Sequence, residues 1–125
     1  MVYRLLLTVL LLATPLPSCA AERELEVTAT AYNSLPGQTE GDPTLAAWGD
    51  RLEPGMKAIA VSRDLIALGL GHGTEVRIDG LPGLYVVRDK MARRWRKKID
   101  IYMGNDVGAA RRWGRRQVTI RWEAD

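Results

Sequence analysis

Two aspartates sit in stretches that otherwise read as strands. Asp89 ends the run Leu84-Tyr85-Val86-Val87-Arg88-Asp89, and Asp100 interrupts Ile99-Asp100-Ile101-Tyr102-Met103. Strands disfavour Asp, so two such breaches close together call for a reason, and a site is one. The chemistry open to them is proton transfer. A carboxyl on a half-buried strand holds its proton toward neutral pH by desolvation, and a second carboxylate nearby raises one of the pair further. Such a group can serve as general acid on a sugar bond. The structural alternative is that each aspartate pairs with a cation, and Arg88, Lys90, Lys97 and Lys98 are at hand.

The other chemistry-bearing residues point less sharply. His72 is the only histidine, set between Gly71 and Gly73, and reads as a turn residue. A zinc site would need a second histidine or retained cysteines. The Gly-rich segment Leu68–Gly73 lacks the Lys-Ser/Thr and following helix of a phosphate loop. Trp48 and Trp95 fall in loops, where an aromatic face either stacks on a sugar ring or packs over the end of a core.

The elements that must position these residues are short. Leu25, Val27, Ala29 and Ala31 alternate with polar residues, giving a strand with one buried face. Asn33–Gly55 carries many Gly and Pro residues and reads as a long loop. Lys57–Ser62 is an apolar strand, followed by a turn or single helical turn over Arg63–Ala67. Thr74–Asp79 alternates, with Val76 and Ile78 on one face. In Leu84–Asp89, alternation puts Tyr85, Val87 and Asp89 on one face. A basic loop, Lys90–Lys98, leads to Ile99–Met103, where Asp100 and Tyr102 share a face. Gly104–Gly114 is the one convincing helix, capped by Asn105 or Asp106 and striped by Val107, Ala110 and Trp113. Gln117–Trp122 closes the chain as a strand. Six strands and one short helix predict an all-β domain, and closing the sheet into a small barrel removes its exposed edges.

Charge and the N-terminal stretch bound the setting. Arg4 precedes the apolar run Leu5–Ala13, too short to span a bilayer comfortably, and small residues follow through Ala21. This is the pattern of a secretory signal over residues 1–21, leaving 22–125 as one domain; a retained N-terminal anchor is the alternative. Cys19, the only cysteine, either becomes a lipidated N-terminus or is discarded with the leader, so localisation is periplasm or outer membrane. Up to Val87 there are six Lys/Arg against ten Asp/Glu, and from Arg88 onward twelve against five. A surface so basic favours an anionic partner: a polyanionic glycan, a lipid surface or nucleic acid. Export disfavours the last.

Several motifs occur in a recognisable order: Ala29-Thr30-Ala31-Tyr32, Ile59-Ala60-Val61, Gly73-Thr74, Arg88-Asp89, Ile99-Asp100-Ile101-Tyr102 and Trp113-Gly114-Arg115-Arg116. Together they resemble the three-aspartate (3D) domain over nearly the whole of 22–125. That domain is similar to the C-terminal part of membrane-bound lytic transglycosylase A and, more distantly, to the barrels of rare lipoprotein A and expansins. The resemblance implies a six-stranded double-psi β-barrel acting on peptidoglycan glycan strands without a cofactor or metal. It assigns Asp100 as acid/base and Asp89 as its companion carboxylate. Thr30, Tyr32 and Thr44 become candidate groove residues, with Arg94, Trp95 and Lys98 as candidate substrate contacts in the basic loop. Two departures stand out. The family's Asp-Thr-Gly-Gly segment is Asp89-Lys90-Met91-Ala92 here, and its Ala-Val-Asp-Pro is Ala60-Val61-Ser62-Arg63. Asp64 and Asp42 are the available stand-ins for the third aspartate. A non-catalytic peptidoglycan-binding or envelope interaction barrel is the competing expectation.

Overall fold

The computed structural model describes residues 21–35, 42 and 44–124. Residues 1–20, where the expected leader and Cys19 fall, lie outside the described residues. Six strands form a closed barrel: β1 (Ala21–Tyr32), β2 (Ala58–Val61), β3 (Glu75–Ile78), β4 (Tyr85–Lys90), β5 (Lys98–Tyr102) and β6 (Arg116–Ala124). Their order around the barrel is β1-β5-β2-β4-β3-β6, and β6 pairs back onto β1. Two neighbouring pairs, β1–β5 and β2–β4, are parallel, and the other four are antiparallel. Parallel neighbours need crossover connections, so the barrel carries two crossings.

The interior follows from alternation. Val27, Ile59, Val61, Val76, Val87, Ile99, Ile101 and Ile120 point inward and are essentially sealed from solvent. Each such side chain contributes roughly 1.5–3 kcal/mol by burial. Trp113 and Trp122 join this core, as their spacing predicts. A smaller cluster of Ala46, Leu52, Ala58 and Tyr102 lies beneath the loop that follows β1.

Four features refine the sequence reading. The described residues hold two short helices, because the single helical turn allowed over Arg63–Ala67 forms as α1 (Arg63–Ile66), with Leu65 buried beneath it. The second, α2, is confined to Val107–Trp113: Asp106 caps it by accepting from the Ala109 amide at 2.9 Å, and Gly114, at φ +65°, ends it. The basic loop shrinks to residues 91–97, since Lys90 ends β4 and Lys98 begins β5. The fourth is a register shift between Ile59 and Ala60, where Ile59 pairs with Val87 but Ala60 pairs with Asp89. This bulge adds one residue to β4. Asp89 therefore leaves the face of Tyr85 and Val87 and turns outward with Ala60.

The connection 91–97 is a strap. Because β2 lies between β4 and β5 in the barrel, the chain must pass over the end of β2 to join them. It is fastened there by Met91 N–H to the Val61 carbonyl (2.9 Å) and by Lys98 N–H to Ser62 Oγ (3.0 Å).

Ile59→Ala should destabilise the domain by about 2–5 kcal/mol, since the barrel centre cannot collapse onto the void. Glu75→Ala, on an exposed position of β3, should change stability by less than about 0.5 kcal/mol. Urea unfolding at neutral pH measures both, and equal effects would contradict the inward assignment of Ile59.

Candidate functional site

One row of residues crosses four adjacent strands. Thr30 on β1 pairs with Asp100 on β5, Asp100 with Ala60 on β2, and Ala60 with Asp89 on β4. Residues paired across neighbouring strands share a face. That face is the outer one, because Ile59, Val61, Ile99 and Ile101 on either side point into the core. The carboxylates thus stand two strand spacings apart, roughly 10 Å at the backbone, with only the Ala60 methyl between them. They line one open groove of about 500 Å³ with Tyr32, Asn33, Met91 and Trp95. The sequence expectation that Asp89 and Asp100 come together is met in this form: one groove, one strand apart.

Their environments differ. Asp100 is mostly buried and accepts the Thr30 hydroxyl at 3.0 Å. Burial pushes its carboxyl above the usual range; the Thr30 hydrogen bond and the Lys98 charge pull it back in part, and the Asp89 charge adds to the rise. Asp89 is held instead by backbone amides. Its Oδ1 accepts from Ala47 N–H at 2.7 Å and from Lys90 N–H at 2.9 Å. Asp100 is therefore the group suited to carrying a proton, and Asp89 is a carboxyl group pinned nearby by two amides.

Tyr32 reaches the same groove. Its ring lies 5.5 Å from that of Tyr102, and its hydroxyl is buried with no hydrogen-bond partner among the described residues. Burial, then the charges of Asp89 and Asp100, drive its pKa far upward, so it stays a neutral donor. An unsatisfied buried hydroxyl is costly.

The strap forms one rim. Lys98 is only 8% exposed, and its Nζ lies 3.6 Å from the Trp95 ring centroid, with the Arg94 guanidinium 5.0 Å from the same ring. Burial lowers the Lys98 pKa and the Asp100 charge raises it. Lys97 takes the left-handed conformation, φ +43°, and its N–H donates to Asp64 Oδ2 at 3.0 Å. Asp64 thus anchors the strap and does not serve as a third groove carboxylate.

Thr44 is corrected. Its hydroxyl donates to Asp42 Oδ1 at 2.7 Å and accepts from Arg51 at 3.0 Å, and it does not line the groove. Asp42 is likewise occupied: the Thr44 hydroxyl and amide, with Arg51, bring its pKa down to about 2. Arg94 contacts the Trp95 ring rather than the groove floor.

Alternation and motif order alone do not reveal Ala60 as a spacer or Ala47 as an amide donor. The segment 46–50 delivers that amide and is latched by Asp50. The Asp50 carboxylate bonds His72 Nε2 at 2.9 Å and Arg88 at 3.1 Å, and His72 also lies against Trp48 at 5.1 Å. Arg88 and Asp89 are consecutive residues of the bulge, so both are gripped by one short turn. His72 was legible as a turn residue; its partner Asp50, twenty-two positions away, was not.

A comparison with protein-family models finds no match for this chain, and none of the curated proteins matches it.

Thr30→Val should raise the Asp100 pKa further, because the bond it removes favours the charged carboxylate. Carboxyl-carbon NMR titration reads this, and an unshifted Asp100 would show that the bond is not made in solution. Asp50→Asn should speed hydrogen exchange at the Ala47 amide, since it removes the carboxylate that bonds His72 and Arg88 and latches the turn. An unchanged rate would mean that the turn holds without its latch.

Proposed function

We propose that this chain is an exported peptidoglycan-active protein that cleaves glycan strands in the manner of a lytic transglycosylase. Asp100 is its single acid/base. The observation that carries this reading is the placement of Asp100: a carboxyl raised by burial, oriented by Thr30, on the floor of an open groove. The sequence resemblance to the 3D domain points the same way, and the apolar run Leu5–Ala13 supports export, with Cys19 as a lipid-attachment point or part of a discarded leader.

The chemistry follows from one proton moving twice. Protonated Asp100 donates to the glycosidic oxygen, the C1–O bond breaks, and the leaving sugar departs with that proton. The remaining muramic acid residue carries positive charge at C1, which the fixed Asp89 carboxylate stabilises through space. The 6-hydroxyl of the same sugar attacks C1 and passes its proton to the Asp100 carboxylate, restoring the acid. The product is a 1,6-anhydro sugar, and no water is consumed. A single carboxyl serves both steps, whereas ordinary glycoside hydrolysis uses two in distinct roles. Tyr32 has the free donor to hold a sugar oxygen beside this centre.

A non-catalytic peptidoglycan-binding barrel is the second reading. What favours it is Met91 and Ala92 in the groove wall, where the resembled family has a turn of glycines.

Asp100→Asn should lower anhydromuropeptide release from purified sacculi by about 10²–10⁴-fold, the usual worth of general acid–base catalysis. Release should also fall in the wild type as pH rises through the elevated Asp100 pKa, because the first step needs the protonated acid. Stability supplies a second readout. A folded pKa raised above the unfolded value gives stability that is present at low pH and lost as pH rises through the folded pKa. At neutral pH Asp100→Asn should therefore hold or raise the melting temperature. Full activity in Asp100→Asn would end the catalytic reading, and pelleting with sacculi without release in the wild type would establish the binding module.

A further inference from the structure

The row Asp89–Ala60–Asp100–Thr30 points across β1 toward a set of cations of which Arg111, Arg112 and Arg115 are accounted for by neither the resemblance nor the groove. Lys98 on β5 and Gln117 on β6 both pair with Thr28, and Arg116 pairs with Ala29. The start of β5 and the start of β6 therefore flank β1 at one level, two strand spacings or roughly 10 Å apart. The strap ends at the first of these, and α2 with its turn ends at the second. Arg93, Arg94, Arg96 and Lys97 come from the strap, and Arg111, Arg112 and Arg115 from α2 and the turn; all are exposed. After burial, and against the pull of Asp100, Arg115 and Arg94 both act on the Lys98 ammonium, so both segments reach that residue.

Among the described residues none of these seven cations forms an ion pair; the pairs found there use Arg51, His72, Arg88 and Arg121. The nearby acids do not neutralise the face. Asp64 is engaged by the Lys97 amide, and Asp106 caps the opposite end of α2. On the outside of β1, Glu26 lies beside Thr119, and Glu24 beyond it pairs with Arg121. Cations gathered within a screening length of about 8 Å repel one another, and an anionic ligand relieves that repulsion.

The chemistry of the ligand is narrowed by what the face lacks. Single-stranded nucleic acid is bound on open aromatic platforms, whereas Trp95 is covered by Lys98 and Arg94. A membrane-seated surface adds an apolar rim, but the exposed large apolar residues, Leu45, Leu68 and Leu84, belong to other segments. A charge-only face that lies across β1 from the groove strand β5 suits a linear polymer bearing carboxylates at intervals.

We propose that the arginines beyond β1, Arg111 and Arg115 foremost, form an extension of the groove that binds the carboxylates of an anionic polymer lying across the strands. This rests on the glycan-strand reading above, and names the peptide carboxylates of peptidoglycan as the groups bound outside the cleavage point.

The test uses the full chain carrying Asp100→Asn, so that the polymer stays intact, and cosedimentation with purified sacculi. Adding Arg111→Gln and Arg115→Gln should weaken binding roughly fivefold per charge removed and flatten its salt dependence, by analogy with charge–surface attraction. Arg111→Lys with Arg115→Lys should bind as the parent does, and sacculi with carbodiimide-amidated carboxylates should lose the parent's advantage over the Gln variant. Equal binding by the parent and the Gln variant, both folded by circular dichroism, would overturn this proposal and leave the glycan reading standing. Failure of the parent and the wild type to bind sacculi would overturn both. Tighter Arg-dependent binding to vesicles with about a third anionic lipid than to sacculi would overturn it in favour of a membrane face.

Discussion

One extra residue in β4 fixes the character of the groove. Without the shift between Ile59 and Ala60, Asp89 would follow Val87 into the barrel, among Val61, Ile99 and Ile101. An ionised carboxylate there would have no partner and would cost many kcal/mol. The bulge spends one backbone position to reverse that outcome. It also brings Arg88 and Asp89 under the turn 46–50, so the distortion is fastened from outside by Asp50 and Ala47. The fold tolerates the irregularity because it sits where the strand leaves the barrel and the strap begins.

The strap and the central strand depend on each other. All four residues of β2 are buried, although only alternate ones face the interior. Of the outer pair, Ala58 is covered by Ala46, Leu52 and Tyr102, and Ala60 lies beside Met91 and Ala92 of the strap, which must cross β2 to reach β5. That same crossing dries the groove floor, and the resulting desolvation raises Asp100. Lys98 is partly buried by the same event and lies against Trp95, which keeps a cation beside Asp100 without a direct ion pair. The balance between desolvation and the Thr30 and Lys98 contributions still leaves the carboxyl raised. Topology, more than any single contact, sets the proton affinity of this site.

How far the sequence reveals this can be argued residue by residue. Period-two alternation located all six strands, and the two aspartates announced themselves as charges in apolar runs. Trp113 and Trp122 were legible as core. Alternation also misassigned Asp89 to the Tyr85 face, because a bulge has no signature beyond the one residue it adds. Thr44 looked like a groove hydroxyl from its position in a long loop, but its neighbours Asp42 and Arg51 were close enough to consume it. Ala60 and Ala47 act through smallness and through a backbone amide, neither of which a side-chain reading detects. Six strands predicted a barrel; which strands are neighbours is decided by long-range pairing that local pattern does not contain.

The β1–β6 ladder runs on past the groove to the pair Ala21 and Ala124. From Thr30 back to Ala21 is nine residues of extended chain, roughly 30 Å at about 3.3 Å each. β1 therefore runs the height of the barrel wall, with Ala21 paired to the buried Ala124 at one end and Thr30 beside Asp100 at the other. A surface that captured the Ala21 end would meet the molecule roughly 30 Å along β1 from Asp100.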